Sequence, residues 1–310
     1  MPRTIQLDSR ETWLAARRLS LGASEAPVAL GESPWGSPFE LWAEKSGRLE
    51  ERPKRSEAAE ERLEWGLLLE EPIAKAVAKR NDREVELEEP FRISYDEEYP
   101  FLSGTLDARQ MMRGRDDPGV LQIKTGNSFA MKDWKDESGA WSPPLTYLIQ
   151  LQQEIAVSGL AWGSLACLIG GQRLLGPFDF DADPAYREAI VPELVAFWNG
   201  VQEGVPPSAD NRDATTRALA RYRTKQLGEP HIMSDLANDW AREYRDVKAI
   251  IKANEAKAKE LKNLMMAEML TEGDGATLGL LGSGGHIEIR KTTAGPYEVK
   301  RHTKTALYIK

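Results

Sequence analysis

The chain has 310 residues, 41% of them hydrophobic and 29% charged, and a formal net charge of −8 at pH 7. These are the proportions of a soluble globular protein with room for one large domain or a domain plus an appendage. The single cysteine, Cys167, excludes a disulfide framework or a cysteine-based zinc site within one chain, and no stretch is apolar for long enough to span a bilayer. The acidic balance excludes a coat of basic surface but not a channel in which lysines and arginines are gathered. The opening residues, 1–10, are polar rather than signal-like, so a cytoplasmic protein without a membrane partner is expected.

Trp13 to Arg18 reads as a helix. The turn Gly22-Ala23-Ser24 opens a second, short helix over 26–30 with Ser24 as its N-cap. A helix N-terminus attracts anions, and Arg17 or Arg18 beside it would complete a phosphate pocket. The plainer reading is a cap and two solvated arginines. The turn-rich loop 33–38 leads into a helix over 39–46, and the dense charge run 52–62 reads as a solvated face. Over 57–80, Leu63, Leu67, Glu70, Ile73, Ala74 and Val77 recur at helical spacing and are expected to share one face. A glutamate amid Leu67, Leu68, Leu69 and Ile73 needs a metal or a lysine as partner unless it lies at the edge of the stripe.

Strands are expected at 84–88 and 91–95, followed by two short segments, 103–107 and 120–125, that read as adjacent strands of a hairpin. Asp107 ends the first. Gln122 and Lys124 share one face of the second, because strand side chains alternate. The three can converge on one point. A carboxylate and a side-chain oxygen suit a hard divalent cation, and a lysine beside them can orient a nucleophile or offset a developing charge. Alone, an aspartate followed by Gln-x-Lys is a weak signal.

A polar connection over 126–144 leads to a helix in which Tyr147, Gln150 and Glu154 lie along one face. Amides there can bond phosphate oxygens or metal-bound water, although a Gln-rich helix is more often polar surface. Strands at 162–169 and 172–178 around Gly170-Gly171, and a helix over 184–201, complete a first domain at 1–204. The remainder, 205–310, reads as a polar linker over 206–214, then a long helix over 234–270 with apolar residues spaced by threes and fours. A Gly-rich turn over 273–285 and a basic segment of short strands follow. No period of roughly 20–50 residues marks a repeat protein.

Taken in order, these pieces resemble the YqaJ family of phage recombination nucleases, to which the lambda exonuclease is related. Trp13, Arg17, Gly22 and Ala23-Ser24-Glu25 resemble the family's opening motif, and Trp65-Gly66 through Glu70 its helical motif. Gly104-Thr105-Leu106-Asp107 resembles its metal-binding aspartate, Gln122-Ile123-Lys124-Thr125 its acid-x-Lys strand, and Tyr147-x-x-Gln150-x-Gln152 its last helix motif.

The resemblance implies an α/β fold with a PD-(D/E)xK, restriction-endonuclease-like core: a central mixed sheet flanked by helices, plus a C-terminal helical arm and small β segment. It implies Mg²⁺, with Mn²⁺ as substitute: one ion at Asp107, residue 122 and the carbonyl of Ile123, and a second that Glu70 and Asp107 would help to hold. Lys124 would position the attacking water and Gln150 would orient it or the lysine. Arg17, Ser24 and Thr105, with Tyr147 and Gln152, would bind substrate. The implied activity is 5′-to-3′ resection of linear duplex DNA in a phage- or prophage-derived system of a bacterial cell. Its partners would be a single-strand annealing protein and further copies of the chain, in a ring around DNA. The sequence departs from the pattern at Gln122, where an acid is expected. An amide removes one negative charge from the site, which leaves three accounts: a tolerated glutamine with activity retained, a natural weak or inactive protein that binds DNA ends as a recombination accessory, or an introduced change that traps substrate. A site-specific endonuclease on the same core is a weaker competitor.

Overall fold

The computed structural model describes residues 3–49, 56–222, 231–272 and 277–290. The chain divides into two units, Met1–Thr224 and Lys225–Lys310. The first is built in order from β1 (Arg3–Gln6), α1 (Arg10–Arg18), β2 (Leu21–Gly22), α2 (Ala26–Ala29), α3 (Pro38–Lys45), α4 (Glu57–Asn81), β3 (Arg83–Leu87), β4 (Arg92–Tyr95), β5 (Leu102–Gly104), β6 (Ala108–Met112), β7 (Gly119–Gly126), a 3₁₀ segment (Ser128–Trp134), α5 (Leu145–Ser158), β8 (Trp162–Ile169), β9 (Arg173–Asp181), a π-turn segment (Tyr186–Ile190), α6 (Val191–Glu203) and α7 (Asp213–Arg221).

Five strands form the central sheet in the order β3-β6-β7-β8-β9. All neighbours are antiparallel except β7 and β8, which run parallel from Val120↔Gly163 to Gly126↔Ile169. A parallel pair requires a crossover, and the 3₁₀ segment with α5 supplies it. The β8–β9 turn is made by Gly170 and Gly171, both at positive φ (61° and 68°), as the tight hairpin turn demands. The alternation along β7 divides its side chains between two helices. Leu121 and Ile123 pack with Ile73, Ala74 and Val77 of α4. Val120 packs with Leu151 and Ile155 of α5 on the opposite face. The mixed sheet flanked by helices is the expected architecture.

A second sheet of four strands has the order β1-β4-β5-β2. It corrects the predicted hairpin. Residues 103–107 do not pair with 120–125: β5 belongs to this second sheet, and the partner of β7 is β6, which begins one residue after Asp107. The chain crosses from one sheet to the other through Thr105, Leu106 and Asp107, so the aspartate sits at the seam.

The helix over 57–80 is present, but its predicted face is not continuous. Ile73, Ala74 and Val77 are buried, whereas Leu63 and Leu67 are 51% and 69% exposed. Only the C-terminal half of α4 lies on the sheet. Pro72 sits inside the helix where that contact begins, and it lacks the N–H that would bond the carbonyl of Leu68. The stretch after Gly204 also differs from expectation. α7 follows the linker and packs Ala218 with Phe39, Trp42 and Leu49, so the first unit continues to Thr224.

In the second unit, α8 (Asp235–Thr271) is capped by Ser234, whose side chain accepts from the Ala237 N–H. β10 (Leu278–Leu280) and β11 (His286–Glu288) form a two-stranded ladder, so part of the predicted Gly-rich turn is strand. The basic segment beyond residue 290 lies outside the described residues. No helix among the described residues is long and apolar enough to cross a membrane.

Candidate active site

Asp107, at the seam, accepts the Ile123 N–H at 2.7 Å through Oδ2, and the same oxygen accepts from Gln122 Nε2. Gln122 and Lys124 share the α5-facing side of β7. Gln122 is 3% exposed, and its Oε1 has no hydrogen-bond partner. Lys124 Nζ donates to Gln150 Oε1 at 3.1 Å and lies 5.2 Å from the centre of the Tyr147 ring. Gln150 in turn donates through Nε2 to Glu154 Oε1 at 2.8 Å. Asp107, Gln122, Lys124 and Gln150 are therefore brought together as the sequence predicts, by a strand and a helix that face each other.

Glu70 reaches the same field from α4. Burial pushes its carboxyl up to about 7, the Asp107 charge adds to this, and Lys124 partly offsets it. Asp107 is itself raised by burial, against the pull of Lys124, the Ile123 N–H and Gln122. Glu154 is pushed up to about 8 by burial and then by Asp107, with Lys124 and the Gln150 bond opposing. Glu70 and Glu154 thus both feel the Asp107 charge, and all three carboxyls feel the one lysine. Among the described residues no three acidic, histidine or cysteine side chains form a metal-holding group. The donors available to a cation are the two carboxylates of Glu70 and Asp107 with the unpartnered Gln122 oxygen, all hard oxygen ligands of the kind Mg²⁺ takes.

A second cluster forms around Trp13. The Arg17 guanidinium lies 4.7 Å from its ring centre and donates to Ser24 Oγ at 3.2 Å, while the indole N–H donates to Thr105 Oγ1 at 3.1 Å. Arg17, Ser24 and Thr105 are gathered as expected, but Ser24 does not cap α2. The N-cap is Glu25, without a side-chain cap bond. Glu25 Oε2 instead accepts the Gly22 N–H and pairs with Lys45 at 2.7 Å, and Lys45 also holds the carbonyls of Arg17 and Ser20. A cavity of about 530 Å³ beside Ser24 is lined by Trp35, Arg217 and Arg221 but also by Glu25, Glu40 and Glu44, so its charge is mixed.

Gln152 does not join either cluster. Two residues along a helix turn a side chain by about 200°. Its Nε2 donates to the Asp181 carbonyl and its Oε1 accepts the Asp183 N–H, both at 2.9 Å, which ties α5 to the end of β9. Tyr147 lies under Lys124 and between Trp35 and Trp134, with ring centres 5.7 and 5.5 Å away. The residue absent from the predicted site is Glu154. Its signal was its place four residues after Gln150 on the same face.

A mixed sheet with an aspartate at its seam, a lysine on the next strand and acidic and amide side chains from two flanking helices defines a class, and the sequence comparisons agree. Residues 12–161 match the YqaJ-like viral recombinase domain, and the chain belongs to this YqaJ family. Over 265 residues it is 30% identical to the uncharacterised protein YqaJ of Bacillus subtilis (strain 168), covering 84% of this chain and 78% of that one. Among solved structures, an alkaline exonuclease from Laribacter hongkongensis, LHK-Exo, aligns with 18% identity and a TM-score of 0.47 over 63% of this chain and 94% of that one. The structure of LHK-Exo in complex with dAMP aligns over the same shares with 20% identity and a TM-score of 0.47.

Proposed function

We propose that the chain is a metal-dependent DNA exonuclease that resects linear duplex DNA from 5′-phosphorylated ends in phage-type recombination, with activity weakened by Gln122. The observation that carries this reading is the convergence of Asp107, Gln122 and Lys124, linked onward to Gln150, at the junction of two sheets. Glu70, Asp107, the Gln122 side-chain oxygen and the Ile123 carbonyl would hold Mg²⁺, or Mn²⁺ in its place. The buried, unpartnered Gln122 oxygen suits such an ion, and so does the all-oxygen donor set. When bound, the ion would polarise the phosphodiester and favour hydroxide over water as the nucleophile.

Lys124 places the attacking water and offsets charge that grows on the phosphate. Gln150 fixes the ammonium through its carbonyl, and Tyr147 lies against it. Arg17, Ser24 and Thr105 grip the terminal phosphate; a guanidinium already stacked on Trp13 loses little freedom in doing so. A single-strand annealing protein would take the strand that remains, and further copies of the chain would close around the duplex.

A second reading rests on the same residue. With an amide at 122 the site has one negative charge fewer than with an acid there, and a cation is held less strongly. An inactive or weak accessory protein that binds DNA ends would follow. The test is digestion of 5′-phosphorylated linear duplex DNA with Mg²⁺ or Mn²⁺ by this chain and by Gln122→Glu. Digestion by both makes Gln122 a working ligand. Digestion by Gln122→Glu alone makes the scaffold a nuclease whose charge at 122 is lost or removed. Failure of both, on circles as well as ends, leaves the accessory protein, and cutting of closed circles would instead indicate an endonuclease.

A further inference from the structure

Glu154 has no role in the reading above, yet its burial demands an explanation. It is 1% exposed, its Oε2 has no hydrogen-bond partner, and its Oε1 accepts one bond, from Gln150 Nε2 at 2.8 Å. A Cβ added to Gly104 would lie 3.7 Å from its Cγ, which places the side chain against the strand that leads to Asp107. A glutamate desolvated for one hydrogen bond costs stability compared with an apolar side chain of similar size. Helix packing alone would favour leucine or methionine there.

The one bond that it makes is informative. A primary amide presents an oxygen on one side and an N–H₂ on the other, and the two can exchange by rotation. At alkaline pH, where the carboxyl is ionised, it accepts and does not donate, so it fixes the amide with nitrogen towards Glu154 and oxygen towards Lys124. With the amide reversed, Gln150 would turn its N–H₂ towards an ammonium. We infer that Glu154 is a positioning residue of the nuclease site: it sets the orientation of Gln150 and, through it, the place of Lys124. This inference rests on the nuclease reading for its consequence in catalysis, but not for the orientation itself.

The experiment is a double-mutant cycle of Glu154→Leu and Gln150→Ala, assayed at alkaline pH on 5′-phosphorylated duplex. Glu154→Leu should lower kcat about 10- to 100-fold, the loss associated with a small displacement of a reacting group, while KM changes little. Its melting temperature should hold or rise, because a desolvated carboxyl is gone. Added to Gln150→Ala it should cost almost nothing more, since residues acting through one another are non-additive. Additive losses, or a lower melting temperature that accounts for the lost rate, would reduce Glu154 to a packing residue. A second readout does not need activity. The Gln150 side-chain amide resonances, assigned by their loss in Gln150→Ala, should move in Glu154→Leu towards the position of a free amide. If they stay, the inference is overturned. If the parent cleaves no DNA while these resonances move, the nuclease reading fails and the orientation stands.

Discussion

Raising the pH in the absence of divalent cations should destabilise the first unit. Glu154 holds its proton up to about pH 8 and Glu70 up to about pH 7, against 4.5 for an unperturbed glutamate. Between those limits the folded chain binds more protons than the unfolded one, so stability falls with each step upward in pH. The contribution is fully present below the unfolded value and is lost as pH rises through the folded ones. A tenfold change in proton affinity is worth about 1.4 kcal/mol, so Glu154 corresponds to on the order of 5 kcal/mol between its protonated and ionised ends. Glu70 is half-buried and screened by water, and it adds less. For a protein of this size the loss corresponds to a fall in melting temperature on the order of 10 °C. The assay is thermal unfolding in EDTA from about pH 5 to pH 9, which spans the unfolded and folded values of both glutamates. Glu154→Gln should flatten the slope, because it removes the titrating group and keeps the shape. Mg²⁺ or Ca²⁺ should restore stability at the alkaline end, where the carboxylates are charged. A melting temperature that is level or climbs across the window in EDTA, or a slope unchanged in Glu154→Gln, would refute the reasoning.

Lys124→Ala should reduce cleavage by about a thousandfold or more while leaving DNA binding near the parent value, read by fluorescence anisotropy in Ca²⁺. An unchanged rate would show that the lysine is misassigned. Arg17→Ala should weaken binding to 5′-phosphorylated ends by about 2 kcal/mol and to hydroxyl ends by much less, since a charge-assisted bond is lost only in the first case; equal loss on both would make Arg17 structural. Gln152→Ala should cost roughly 1–2 kcal/mol of stability for its two bonds and spare cleavage of saturating substrate. Gly119→Ala should unfold the core or lower its stability by about 3 kcal/mol or more, because the new Cβ would lie 2.4 Å from the fully buried Trp162 ring.

Much of the fold was legible because its periods are strong. The alternation in β7, the apolar run of β8 ended by two glycines and the spacing in α5 and α8 each specify one element. Weaker patterns failed for identifiable reasons. β1 is polar and mostly exposed, so its pairing with β4 leaves no apolar trace. α7 buries only Ala214, Thr215 and Ala218, residues too small to mark a hydrophobic face. Local pattern marks 103–104 as strand but pairs it with 120–125, because a short strand carries no mark of its true neighbour, here β4. In the candidate site, strand alternation pairs Gln122 with Lys124, whereas Asp107 joins them through a predicted hairpin that does not form and Gln150 through the family resemblance. Motif proximity sets Gln152 beside Gln150, whereas the helix turns its side chain to the end of β9, and the meaning of Glu154 depends on a hydrogen bond that spacing permits but does not specify.

The half-anchored α4 carries a mechanical consequence. Its turns from Leu69 onward are fastened to the sheet, its earlier turns are mostly exposed, and Pro72 interrupts the hydrogen-bond ladder near the start of the fastened part. Glu70 is half-buried, one residue after the first anchored leucine and two before the proline, whereas Asp107 is built into the framework. The carboxylate sits where the exposed turns give way to the anchored ones, beside the missing backbone bond. A tilt about Pro72 that changes the separation of the two acids also moves Leu69 on the core, so the spacing of this acid pair is tied to the packing that holds α4 on the sheet.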